Sequence, residues 1–294
     1  MISAFVDLNK PAGMTSASAV ARVKRILREK GVEISKIGHF GTLDPDAEGV
    51  LPIALNRATR LFDHLGLKTK IYYAEFVFGA ETDTLDSSGE IISDGGKIPS
   101  PDEITRAAAS LIGVTEQLPP KFSAKSVNGR RAYELARAGE DFDLKPKLVK
   151  IDGISLLGEK ERGVYSFRIT CGGGTYIRSI ARDIAYKCGT FAYMRRLTRE
   201  KSGYFDINDA VTISDIADAE DITTLIVPME KALENFPRYD MAGDGETERL
   251  ILNGVNLRLK NMPDGIFRFY ISGKLCGLGE KDEDMRFTWR VRLI

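Results

Sequence analysis

Apolar positions first recur at helical spacing in residues 15–30. There Val20, Val23 and Leu27, with Ile26 beside them, form one stripe, and Arg22, Lys24, Arg25 and Arg28 take the remaining surface. Thr15 or Ser16 stands where an N-cap belongs, and a Lys-Pro-Ala-Gly turn separates this helix from a short strand at "FVDLNK". The next segment, "GHFGTLDPDAEGVLPIALNRATR" (38–60), carries three glycines and two prolines and reads as a constrained loop. Alternation with a period of two then marks "KIYYAEFVFGAETDTLDSSGEI", with Tyr72, Ala74, Phe76 and Phe78 on one face and an acidic polar turn at its end. "SPDEITRAAASLIG" predicts a helix with Ser100 as cap, Pro101 in its first position and Gly113 beyond its end. A second alternating strand puts Tyr165, Phe167, Ile169 and Cys171 on one face, breaks at three glycines, and becomes a helix whose first residues include Tyr176 and Arg178. Residues 116–147 open on a double proline and interleave aromatics with bases, as an inserted arm would. From about residue 238, short alternating runs punctuated by glycine predict a small all-β module.

Charge changes this picture through its distribution, since the net value is zero, with 42 Lys/Arg against 42 Asp/Glu. Residues 10–30 hold six bases and one acid, 121–150 eight and four, and 178–201 seven and two, whereas 204–235 hold eight acids and one lysine. If the three basic segments converge, they form a stripe able to neutralise phosphates; as separate solvated faces they carry no such meaning. At 294 residues the chain has the length of two domains. No apolar run approaches the roughly 18–20 residues of a membrane span, and "MISAFVDLNKPAG" lacks the basic and long apolar regions of a secretion signal, so the cytoplasm is the expected compartment. Cys171, Cys188 and Cys276 are widely spaced and odd in number, which predicts free thiols.

With His39 and His64 the only histidines, a histidine-rich metal site is excluded and no Ser-His-Asp arrangement is signalled. Neither a phosphate-loop motif nor a dinucleotide fingerprint is present. The sharpest candidate is Asp44. Pro45 biases it toward an extended backbone while Gly41 and Gly49 permit turns on either side, so its carboxylate projects from a fixed loop; the plain alternative is an Asp-Pro turn start. His39 has the setting of a base-stacking residue or of a structural histidine. Tyr72 alone reads as sheet packing, and Arg178 alone as a helix surface residue.

Seven stretches together, "NKPAGMTS", "GHFGTLDPDAEGVLPIALNRATR", "KIYYAEF", "TDTLDSSGE", "LPPKFSAKSVNGRRAYELARAGE", "GTYIRSIARDI" and "MRRLTREKSGYF", resemble in the same order the segments of TruB-type tRNA pseudouridine synthases, and they span nearly the whole chain. The resemblance implies isomerisation of uridine 55 in the tRNA T arm, with Asp44 as nucleophile, Tyr72 packing on the target base and a candidate for proton transfer, and Arg178 pairing with the catalytic carboxylate. It implies that His39 meets the flipped-out nucleotides and that Lys10, Tyr176 and Leu197 line or support the pocket. It implies no metal, no organic cofactor, no membrane and no obligatory protein partner. Three positions depart from the family pattern: Phe40 replaces a commoner threonine, Glu81 a commoner base, and Lys125 sits one place before its usual slot, which Ser126 fills.

The expected architecture is α/β of the α+β kind. Residues 1–237 form the catalytic domain on a mixed, largely antiparallel central sheet with flanking helices and a thumb-like insertion at about 116–147. Residues 238–294 form a small β-barrel-like module resembling PUA domains. Two rival functions remain open at this level: a guide-RNA-dependent synthase of the H/ACA class, and a tRNA-binding or tRNA-folding protein without catalysis. A two-carboxylate glycosidase would need a second acid facing Asp44, and no sequence feature nominates one.

Overall fold

The computed structural model describes residues 2–65, 69–123, 125–127, 129–241 and 245–294. Ala124 and Asn128, inside the expected arm, and residues 242–244, inside the expected tail module, lie outside the described residues. The chain begins with β1 (Ala4–Lys10), α1 (Ser16–Glu29), β2 (Ile37–His39) and β3 (Glu48–Leu55), and a 3-10 turn leads into α2 (Phe62–Leu65). Then follow β4 (Lys70–Phe78), the pair β5 (Glu81–Thr82) and β6 (Ile91–Ser93), α3 (Pro101–Ala109) and β7 (Gly113–Gln117). The arm consists of β8 (Ser126–Val127), β9 (Arg130–Arg131) and α4 (Ala132–Arg137). The chain returns through β10 (Lys147–Glu161), β11 (Val164–Cys171), α5 (Ile177–Lys187), β12 (Ala192–Ser202), β13 (Phe205–Asp206), α6 (Ile213–Asp218), β14 (Ile226–Pro228) and α7 (Met229–Ala232). It closes with β15 (Arg238–Met241), α8 (Glu246–Leu252), β16 (Ile266–Ile271), β17 (Lys274–Lys281) and β18 (Phe287–Arg292).

The large sheet runs β14-β1-β3-β12-β4-β11-β10-β7, with β2 paired to β3 and β13 to β12. All of its pairs are antiparallel except β12 with β3, so the mixed, largely antiparallel sheet with flanking helices is what the chain builds. One core unites Val6 and Leu8 of β1, Leu51 and Ile53 of β3, Tyr72, Ala74 and Phe76 of β4, Val23 and Leu27 of α1, and Ile180 and Ile184 of α5. The opposite sheet face packs Phe5, Phe40, Val50 and Ala54 against Tyr270, Leu275 and Leu278 of the C-terminal strands. Each such fully buried aliphatic side chain contributes about 1.5–3 kcal/mol relative to exposure.

The helix starts follow their capping chemistry. The Thr15 side chain accepts from the Ser18 N–H, and Ser100 and Glu103 form a reciprocal capping box with Pro101 in the first turn. Three expectations need correction. Residues 38–60 are not one loop: Glu48–Leu55 is a strand in the sheet interior, and the loop proper is confined to residues 40–47. β3 is buried on both faces, so its sequence is a continuous apolar run without the alternation of a half-exposed strand. Tyr176 is the N-cap of α5 rather than a helical residue, and the tail is not purely β, since α8 precedes its last three strands. That tail forms a four-stranded sheet, β15-β16-β17-β18, around Phe267, Phe269 and Phe287.

Beneath the sheet, Asp7 of β1 is 3% exposed; its Oδ2 accepts the Asp206 N–H at 3.2 Å, and its Oδ1 has no partner among the described residues. Burial, reinforced by Asp209 and Asp206, pushes its pKa up to about 7 against the Asp206 N–H and the charge of Arg199. A raised pKa means that the folded state holds the proton more tightly. The stabilisation from Asp7 is therefore complete below the ordinary pKa near 3.8 and is lost as pH rises through about 7. Over that window it amounts to roughly 4 kcal/mol. Urea titrations of the parent and of Asp7→Asn from pH 4 to 8 should show the variant gaining relative stability as pH rises; a difference independent of pH contradicts this assignment.

Candidate active site

The loop that carries Asp44 is held on both flanks by groups distant in sequence. Ser16 at the start of α1 donates from Oγ to Leu43 O at 3.0 Å and accepts the Leu43 N–H at 2.9 Å. On the other flank Pro45 O accepts the Met14 N–H at 3.2 Å and Lys10 Nζ at 3.0 Å. The Lys10 ammonium is fully buried and also donates to Pro11 O at 2.8 Å and Met14 O at 2.6 Å. Burial pushes Lys10 down to about 8, while Asp46, Asp44 and Glu48 oppose the shift. Lys10 thus fastens the N-terminal turn to the Asp44 loop through backbone carbonyls.

Across the cleft, α5 delivers Arg178 in its first turn. The side chain of Gln117 binds both backbone groups of the N-cap, accepting the Tyr176 N–H at 2.8 Å and donating to Tyr176 O at 3.1 Å. Arg178 then meets Asp44 side-on, Nε to Oδ2 at 3.0 Å and Nη2 to Oδ1 at 3.0 Å. The guanidinium also donates to Thr84 O at 3.0 Å and Phe122 O at 3.1 Å and pairs with Asp86 Oδ2 at 3.2 Å, so Thr84, Asp86 and Phe122 fix it against Asp44. The guanidinium side chain is 7% exposed and that of Asp44 is 36%, so the carboxylate remains open to a substrate while its partner is enclosed. Burial raises the Asp44 pKa; Arg178 opposes this, and Asp86 adds to it. Leu85, between Thr84 and Asp86, adopts φ 61°, a strained conformation for a leucine, which is a price of aiming both neighbours at Arg178.

Tyr72 lies on β4 opposite Arg199 of β12, and burial raises its pKa, with Arg199 acting against the shift. Leu197, opposite Ala74, is buried beside it. His39 is on β2 rather than in a loop, and its Nδ1 is buried without a partner among the described residues. Burial lowers its pKa, and Arg199 adds to that shift, so the ring favours the neutral form. Asp44 is thus in contact with Arg178 and close enough to Tyr72 to add to the rise that burial causes in its pKa, while Lys10 holds the backbone beside Asp44 and Gln117 holds the Tyr176 backbone ahead of Arg178.

Sequence reasoning missed Thr84, Asp86, Gln117 and Phe122 as partners in this network. The quoted "TDTLDSSGE" contained two of them but had the composition of a solvated turn. Two of the three departures have partners within the fold: Phe40 stacks on Phe62 at 4.2 Å, and Glu81 accepts from the Tyr186 hydroxyl at 3.1 Å. Bases in 178–201 are largely engaged internally, Arg182 by Asp183, Arg195 by Glu75 and Glu161, Arg196 by Glu48 and Lys201 by Asp206, so this segment offers fewer phosphate contacts than its composition suggests. Among the described residues no group of histidine, cysteine and acidic side chains is arranged to hold a metal, and no helix is long and apolar enough to cross a membrane.

Comparison with known proteins gives consistent matches. Residues 24–177 match the family described as TruB family pseudouridylate synthase (N terminal domain), and residues 178–234 match the tRNA pseudouridylate synthase B C-terminal domain. A tRNA pseudouridine synthase B of Clostridium kluyveri is 37% identical over 289 residues, covering 96% of each chain. One from Geobacillus thermodenitrificans is 41% identical over 263 residues, covering 86% of this chain and 84% of the relative. Among solved structures, a chain of a Cbf5-Nop10-Gar1 complex superposes with a TM-score of 0.73 at 25% identity, covering 99% of this chain and 85% of that one.

Proposed function

The chain belongs to the TruB family of pseudouridine synthases, and we propose that it converts uridine 55 in the T arm of tRNA to pseudouridine, acting without an obligatory protein partner. The observation that carries this reading is the Asp44 carboxylate, clamped in a short loop, held side-on by Arg178 and still 36% exposed. In this reading Asp44 is the nucleophile that attacks the target nucleoside. The bond from uracil N1 to the ribose breaks, the detached uracil turns, its C5 joins the ribose carbon, the bond formed to Asp44 is released so that the carboxylate is restored, C5 gives up its proton and N1 ends protonated. Substrate and product are isomers, so no oxidant and no external group enters. Arg178 orients the carboxylate and opposes the pull of burial toward its neutral form. Tyr72 packs against the base and its hydroxyl is the candidate for proton transfer, and His39 meets nucleotides turned out of the T loop, since a stacked base cannot reach a carboxylate held in a loop. Lys10 and Tyr176 hold the two backbones, and Leu197 supplies apolar wall.

Residues 116–147 serve as a thumb over the RNA, and residues 238–294 as a PUA-like RNA-binding module attached to a catalytic domain of residues 1–237. The likeness to a chain from a Cbf5-Nop10-Gar1 complex keeps a guide-dependent reading in view, but the full-length relatives of higher identity carry the tRNA name. Incubating the purified protein with unmodified tRNA transcript, alone, and mapping pseudouridine at single-nucleotide resolution should show conversion at position 55. Conversion elsewhere, or none unless a guide RNA is added, overturns this assignment.

A further inference from the structure

Two buried cations near the Asp44 loop have no carboxylate partner among the described residues. Lys70, the first residue of β4, is 7% exposed, and Arg199 of β12 is 1% exposed. Among the described residues neither forms an ion pair with a carboxylate; the charged and titratable groups that act on Lys70 are Arg199 and the Cys171 thiol. Arg199 donates from Nε to Val50 O at 2.7 Å and from Nη2 to Gly41 O at 3.0 Å, and its charge also acts on the Tyr72 hydroxyl. The carboxyl group that senses Arg199 is Asp7, itself pushed up to about 7 by burial and so a poor counter-charge. Both cations converge on Gly41, three residues before Asp44. A Cβ built there would lie 3.2 Å from Lys70 Nζ and 3.4 Å from Arg199 Nη1. Gly41 has φ +77°, so the position favours glycine on backbone grounds as well, and no side chain comes between its backbone and the two nitrogens.

Buried charges without partners are destabilising and persist where a site uses them. We propose that Lys70 and Arg199, with the bare backbone of Gly41 between them, form a subsite for a phosphodiester of the RNA strand beside the target nucleotide. The inference rests on the RNA-modifying reading above. A phosphodiester carries one negative charge on two oxygens, which suits a lysine point charge on one side and a guanidinium edge on the other. Burial, then Arg199, lowers the pKa of Lys70 to about 8, and a bound anion would restore its full charge. The placement also fits the geometry of a nucleotide. A ribose presented to Asp44 carries its own phosphates one sugar away, and Gly41 lies in the same clamped loop.

The test measures binding of T-arm stem-loop RNAs in which each loop linkage in turn is a neutral methylphosphonate. The proteins are Asp44→Asn, so that no turnover alters the RNA, and the same protein carrying Lys70→Met, which keeps the aliphatic stem and removes the charge. One linkage should weaken binding to the first protein tenfold or more and binding to the second less than twofold. Lys70→Met should melt at or above its parent, because an unpaired buried charge has been removed. If Lys70→Met misfolds, Lys70→Gln serves in its place. Equal losses at every linkage in both proteins, or unchanged binding combined with a lower melting temperature, would show Lys70 to be structural and overturn the proposal. Turnover of intact tRNA by the unmutated protein separately tests the proposed function, so an inactive protein that still shows the linkage-specific loss retires that reading and keeps the phosphate subsite.

Discussion

Asp44→Asn should abolish pseudouridine formation while leaving a folded protein that binds tRNA within about 1–2 kcal/mol of the parent. Asparagine keeps the shape of the side chain and can still accept a hydrogen bond from Arg178, but it offers no attacking carboxylate. The loop should hold its place, because the groups that fix it, Ser16, Met14 and Lys10, act on the backbone of Leu43 and Pro45 and not on the Asp44 side chain. Single-turnover assays with saturating tRNA, together with a binding isotherm and a melting curve, separate these effects. A folded, tRNA-binding variant that turns over within about tenfold of the parent would end the nucleophile assignment, since tenfold is only about 1.4 kcal/mol of barrier.

Arg178→Met should damage both stability and rate. Removing the guanidinium leaves two carboxylates, Asp44 and Asp86, sharing one site, and strips Thr84 O and Phe122 O of a donor. Breaking a buried ion pair in this way costs about 3–5 kcal/mol. Turnover should fall at least about 100-fold through lost orientation. The direction of the pH effect follows from the charges: Arg178 holds the Asp44 pKa down, so its loss lets burial and Asp86 carry that pKa further up. The acid limb of any residual activity should therefore move to higher pH. Arg178→Lys should recover part of the rate, because a point charge replaces the fork without its side-on geometry. An Arg178→Met protein with the parent's melting temperature and acid limb would show that Arg178 neither supports the fold nor tunes Asp44.

Asp44, Tyr72 and Arg178 could be nominated together because each sits in a distinctive string, and the contact between Asp44 and Arg178 is present in the fold. Their partners were not, for identifiable physical reasons. Asp86 lies in a stretch whose composition matches a solvated turn, and its role depends on Leu85 adopting a backbone conformation that composition does not signal. Arg199 sits among charged neighbours in "RRLTREKSG", and β12 shifts register against β4 between Met194 and Arg196 and again between Arg199 and Lys201. Simple alternation therefore cannot tell which of those bases face inward. β3 was hidden by being buried on both faces, and α8 by lying inside a glycine-rich run of strands.

The position of β12 bears on how the chain acquires its shape. β12 lies between β3 and β4, antiparallel to β4 and parallel to β3, yet more than a hundred residues separate it in sequence from either. At the parallel contact a Cβ on Gly49 would lie 2.3 Å from Arg199 O, so the two backbones meet too closely for any side chain there. Until β12 inserts, β3 and β4 both present unpaired edges, and Asp44 has no Arg178, because α5 immediately precedes β12. A nascent chain that has emerged only to about residue 170 would thus carry every residue of the nucleophile loop and no assembled centre. Such long-range closure is slow, and the open edges invite pairing with other chains. Refolding should accordingly show late recovery of the Asp44–Arg178 pair, with aggregation competing before β12 is in place.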